Sequence, residues 1–184
     1  MSAARLLLHL GALTGALLGF VPGTSAGQLS GTLVVFPPRL EARFREDYGV
    51  DEQGVLREAI VAALARALAP VTLPRPLGAR ILIENVLPTR PTRAQTDADP
   101  GMSDLRSKYR GGAALTAELR DAQGQLVGRV SYEYFAPTVP TGSPAHDPWA
   151  DARLAIDGLA ARLAAACAAL PHAPAPPTAA AAPR

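Results

Sequence analysis

Residues 113–135, AALTAELRDAQGQLVGRVSYEYF, decide the fold. Over 113–120, Ala113, Leu115, Ala117 and Leu119 share one parity, and Thr116, Glu118 and Arg120 share the other. Over 125–135, Leu126, Val130, Tyr132 and Tyr134 alternate in the same way with Arg129, Ser131 and Glu133. A period of two predicts two strands, each with one apolar and one polar face. Between them stands Asp121-Ala122-Gln123-Gly124, with a glycine where a tight turn needs positive φ. The two strands are therefore expected to form an antiparallel hairpin, covered on one side only.

Working outward, 79–87 contains Ile81-Leu82-Ile83, apolar on both parities, and predicts a central strand covered at least partly on each side. Thr32-Leu33-Val34-Val35-Phe36 predicts a strand stopped by Pro37-Pro38. Leu56, Ile60, Leu64 and Leu68, flanked by Ala59, Ala63 and Ala67, fall on one helical face and end at Pro70. Asp51 is the expected N-cap, with Val50 stapled to Val55 across it. Arg57, Glu58 and Arg66 lie off that stripe, as a solvated face would. A last helix is expected from Asp147-Pro148, carrying Trp149, Ala152, Ile156, Leu159, Leu163, Ala166 and Leu170, and ending at Pro171. The order β-α-β-β-β-α predicts an α+β fold, a two-layer sandwich with two helices on one face of a four-stranded mixed sheet. The opposite face, with Thr116, Glu118, Arg129 and Ser131, is left solvated or as a docking surface.

The ends of the chain differ in composition. Arg5 precedes a Leu/Ala/Gly run from Leu6 to Val21, then Pro22 and the small-residue exit Gly23-Thr24-Ser25-Ala26. This predicts a signal peptide over 1–26, cleaved near Ala26, and export to the periplasm. A membrane anchor needs about 20 apolar residues, so no transmembrane segment is expected in the mature chain. Gly27 stands where a lipoprotein carries its lipid-accepting cysteine. Residues 27–170 are read as one α+β domain, and 171–184 as a disordered Pro/Ala-rich tail. Lys and Arg number 18 against 16 Asp and Glu, and loss of Arg5 leaves the mature chain near neutral. That balance gives no nucleic-acid footprint. The single Cys167 rules out an internal disulfide, leaving a small core residue or a bond to another chain.

Residues that could carry chemistry are few. Of three histidines, only His146 lies within the expected fold, and no Gly-x-Ser-x-Gly elbow accompanies it. Asp97, Asp99 and Asp104 fail the calcium-loop pattern, since Met102 and Lys108 occupy its glycine and terminal-acid positions. They read instead as turn formers and partners of nearby arginines. No metal, cofactor or catalytic set is expected. The long loop over 88–111 is more informative. Arg90, Arg93, Arg106, Lys108 and Arg110, with Tyr109 among them, are the residue types enriched at binding surfaces and are the candidate binding residues.

Three stretches carry a resemblance: Pro88-Thr89-Arg90-Pro91-Thr92, then Pro100-Gly101 through Ser107 to Gly111-Gly112-Ala113, and Trp149-Ala150-Asp151-Ala152. They resemble a group of bacterial envelope proteins, many of them lipoproteins. The element order is similar to lipopolysaccharide-assembly and transport-auxiliary lipoproteins. The resemblance implies a protein that binds other envelope components, a protein or a glycolipid, without catalysis. The competing expectations are a small secreted hydrolase using Asp/Glu and His146, and a structural envelope protein. The sequence does not set an oligomeric state.

Overall fold

The computed structural model describes residues 29–99, 101–102, 109–138 and 147–171. The expected signal segment and the tail beyond Pro171 lie outside them. Four strands, β1 (Gly31–Val35), β2 (Leu77–Leu87), β3 (Gly112–Asp121) and β4 (Leu126–Phe135), form one sheet in the order β1-β2-β3-β4. β1 runs parallel to β2, and β2/β3 and β3/β4 are antiparallel. The parallel step requires a crossover, supplied by α1 (Pro38–Arg43), a π-helical turn (Phe44–Tyr48) and α2 (Glu52–Leu68). A short α3 (Arg93–Ala98) follows β2, and α4 (Ala150–Ala168) follows β4. α4 lies over β3 and β4 and packs along α2, so helices cover one face of the sheet. This is the α+β sandwich expected from the period-two and helical stripes.

The core follows those stripes. Leu56, Ile60, Ala63, Leu64 and Leu68 of α2 are buried, as are Ile81 and Ile83 of β2 and Ala113, Leu115, Ala117 and Leu119 of β3. From α4 come Ala152, Ala155, Ile156, Leu159, Ala160, Leu163, Ala164 and Cys167. Cys167 is fully buried, which pushes its thiol pKa up and keeps it unreactive. The hairpin closes as its sequence demands. Gly124 has φ of 78°, and the Asp121 carboxylate accepts from the backbone N–H groups of Gln123 and Gln125 at 3.0 and 2.9 Å.

The charged stretch after Pro37-Pro38 is helical, with Pro38 in the first helical turn, where its missing N–H is harmless. Leu40, Phe44 and Tyr48 then face inward, and Gly49 N–H bonds back to Phe44 O at 2.8 Å to close the π-turn. Three local expectations are corrected. Asp51 occupies the N-cap position of α2 but caps nothing with its side chain. Val50 and Val55 are exposed rather than stapled, because a turn after Gly49 already hands backbone carbonyls to the first helical amides. Asp147-Pro148 forms a turn ahead of α4: Asp147 accepts from Trp149 N at 2.9 Å, and the helix starts at Ala150. Finally, the register shifts between Leu119 and Arg120, setting Leu126 opposite Arg120 and out in solvent. Val127 packs against the core in its place. An extra residue inverts strand parity beyond it.

Candidate functional site

Both ends of the 88–111 segment are anchored. Thr89 is its keystone. Its N–H donates to Pro148 O at 2.7 Å, and its carbonyl accepts from Tyr109 N at 2.7 Å. Its hydroxyl donates to the Asp151 carboxylate at 2.9 Å while accepting from Asp151 N at 3.1 Å. Gly111 lies so close that a Cβ there would sit 2.4 Å from the Thr89 hydroxyl oxygen. The start of the first stretch behind the resemblance, the end of the second and the third thus meet in one buried junction. Thr92 then opens α3 through a reciprocal capping box with Gln95.

That anchoring sorts the candidate binding residues. Arg90 is only 5% exposed and is engaged by a partner within the structure. Arg93 is fully in solvent, with Asp97 3.6 Å away one helical turn on. Tyr109 is partly exposed, with its hydroxyl towards Met102 Sδ at 3.7 Å. Arg110 is exposed and donates from Nε to Ala136 O at 3.0 Å. Arg93, Tyr109 and Arg110 are therefore the members of the set available at the surface among the described residues. Arg106 and Lys108 lie outside the described residues, as does His146. Asp99 forms the expected turn, its carboxylate accepting from Gly101 N at 2.9 Å.

A second cluster lies on the sheet face that no described helix covers. Register places Leu33, Arg80, Glu118 and Arg129 in one row across all four strands, and Val35, Leu82, Thr116 and Ser131 in the next. The Glu118 side chain, 11% exposed, accepts from Arg129 Nη2 at 2.6 Å and Arg120 Nη2 at 2.9 Å, with Arg80 Nη1 at 3.6 Å. Three guanidiniums share one carboxylate, and the Arg side chains remain 40–60% exposed. Their unused N–H donors face solvent. The hydrogen bonds from Arg120 and Arg129 hold the Glu118 pKa down to about 2. In the neighbouring row the Thr116 hydroxyl donates to Glu84 Oε1 at 2.6 Å, so Ser131, 2.7 Å away, must donate to Thr116. A shallow, open depression of about 300 Å³ lies there, between Glu84, Glu133 and Arg162.

No family model, curated protein or solved structure matches the chain. Its geometry alone speaks for it. Among the described residues no group of three or more His, Cys, Asp or Glu converges as a metal site would require, and no helix is long and apolar enough to cross a membrane. Most of the arginine cluster is legible in the sequence, where alternation puts Glu118, Arg120 and Arg129 on the polar parity of their strands. Arg80 was hidden in an apolar strand, and only register brings it to Glu118.

Glu118 also makes stability depend on pH. Its folded pKa lies below its unfolded value near 4.5, so its contribution is complete above that value. The contribution is then lost as pH falls from about 4.5 towards about 2. Urea unfolding of Glu118→Gln from pH 7 to 2 should show a shallower acid decline than wild type. Parallel declines would remove Glu118 as a contributor.

Proposed function

We propose that this chain is a non-catalytic binding or accessory protein of the bacterial cell envelope, exported to the periplasm and contacting a protein or glycolipid that carries anionic groups. The observation that supports this reading is the open sheet face. Three partly exposed arginines compete there for one carboxylate, so guanidinium donors are left over for a carboxylate or phosphate brought by a partner. Leu33, 60% exposed, and the half-buried Val35 and Leu82 add apolar area beside them. A flat patch of arginine beside exposed aliphatic side chains suits a macromolecular surface better than a small substrate, which favours a concave pocket. Arg93, Tyr109 and Arg110 are further exposed candidates near the Thr89 junction in sequence.

The test is recovery of partners from envelope extract, and of anionic glycolipid in vesicle flotation. Wild type is compared with Arg80→Ala/Arg120→Ala and with Arg93→Ala/Arg110→Ala. Arg129 stays on Glu118 in the first variant, so that carboxylate is never orphaned. The first variant should lose at least about tenfold in recovery, the scale expected for two charge-assisted contacts. Equal recovery by the first variant sinks the sheet-face reading, and equal recovery by both sinks the binding reading. Intact mass of the exported chain tests localisation separately, with a start near Gly27 expected.

A further inference from the structure

Beyond that reading, we infer that the protein forms a two-fold dimer by antiparallel pairing of β4 with β4 of a second copy, centred on Ser131. Three observations converge on this edge.

The first is the edge itself. β4 is ten residues long, lies at the end of the sheet and, among the described residues, is paired with β3 alone. Ala136 N donates to Gly111 O at 2.9 Å, in step with the register Gly112↔Phe135. In an antiparallel ladder the backbone groups of alternate residues point to opposite sides. Tyr134, Tyr132 and Val130 therefore bond towards β3, while Glu133, Ser131 and Arg129 point their N–H and C=O groups away from it. Such a row of free donors and acceptors is a template for another strand.

The second is self-complementarity. With Ser131 opposite the partner's Ser131, Arg129 falls opposite the partner's Glu133, and Glu133 opposite the partner's Arg129. Glu133 has no ion pair among the described residues, and Arg129 reaches Glu118 through Nη2 alone. Centring the pair on Arg129 or on Glu133 sets like charges face to face instead. On the covered side the same register sets Gly128 opposite the partner's Tyr134, and Val130 opposite the partner's Tyr132. Each large ring then meets a small residue, a pairing that stabilises strand glycines.

The third is the helix above. α4 rests on β4 through Gly158, where a Cβ would sit 2.2 Å from the Tyr132 ring. Leu154, Ala161 and Ala165 share that arc of α4 and are exposed. Strands pair about 4.8 Å apart, so the two copies of α4 would run about 10 Å apart, the distance at which helices pack. The dimer would carry one eight-stranded sheet, with both arginine clusters on its open face.

Sedimentation of the full chain, exported and processed by a bacterial host, tests this over a micromolar concentration series. Wild type should be dimeric at the upper end. Glu133→Arg should weaken the dimer at least about tenfold by setting arginine against arginine twice, and Arg129→Glu/Glu133→Arg should restore it. Circular dichroism checks that each variant is folded. Under mild oxidation Ser131→Cys should cross-link two chains, because hydrogen-bonded pairs place Cα atoms about 5.5 Å apart. Glu133→Cys should not. A wild type monomeric throughout, failure of the double exchange to rescue, or equal cross-linking at both positions overturns the proposal. Monomeric wild type would mean that Arg129 and Glu133 guard the edge against pairing.

Discussion

Replacing Gly112 by alanine is expected to cost about 3–5 kcal/mol, combining a residue forced into a glycine conformation with steric overlap against fixed backbone. Gly112 has φ of 149°, which L side chains rarely adopt. A Cβ there would lie 2.1 Å from Tyr134 O and 2.6 Å from Phe135 Cα. Both are backbone atoms of the paired strand, so no rotamer change relieves the overlap. The β3–β4 ladder must part at the end where Gly111 also abuts Thr89. Against a typical stability of about 5–15 kcal/mol, this is a large share. Urea unfolding followed by circular dichroism measures it, with Gly31→Ala as control. A Cβ on Gly31 meets nothing within 4 Å, and that variant should be near neutral. Similar losses at the two positions would refute the steric argument.

Trp149→Ala is expected to cost a comparable amount, about 3–5 kcal/mol, as truncation of a large buried aromatic does. Trp149 is fully buried where α4 begins, with ring centroids 6.0 Å from Phe44 and 5.6 Å from Tyr48. Phe44 in turn stacks edge-on with Phe36 at 5.3 Å. The indole N–H donates to Glu52 Oε2 at 2.6 Å, tying α4 to the first turn of α2. Alanine leaves a cavity beside the Phe44 and Tyr48 rings and removes that tie. Trp149→Phe keeps most of the volume and loses the hydrogen bond, so it should cost only about 1–2 kcal/mol. Trp149 is the chain's single tryptophan, so the variants must be compared by circular dichroism rather than fluorescence. A loss below about 1 kcal/mol for Trp149→Ala would show that the cluster is not a keystone of the fold.

Residue type alone marks Arg90 as a binding candidate, but it is buried beside Thr89, and Arg93 and Arg110 are the arginines of that segment that reach solvent among the described residues. Residue type says what a side chain can bind. Burial decides whether a partner reaches it.

By itself the sequence determined what depends on near neighbours. The 113–135 hairpin, its Asp121–Gly124 turn and the apolar stripes of α2 and α4 all follow from periods of 2 and 3.6 and from single-residue turn chemistry. Tertiary structure decided what depends on register and on contacts far along the chain. The bulge at Arg120 turned Leu126 outward and brought Val127 in. Strand alignment placed Arg80 beside Glu118, 38 positions away, and the docking of α4 placed Asp151 on Thr89, 62 positions away. A period records which side of an element a residue occupies, but not which residue of another element it will meet. That is set by how the layers fit together as they exclude water.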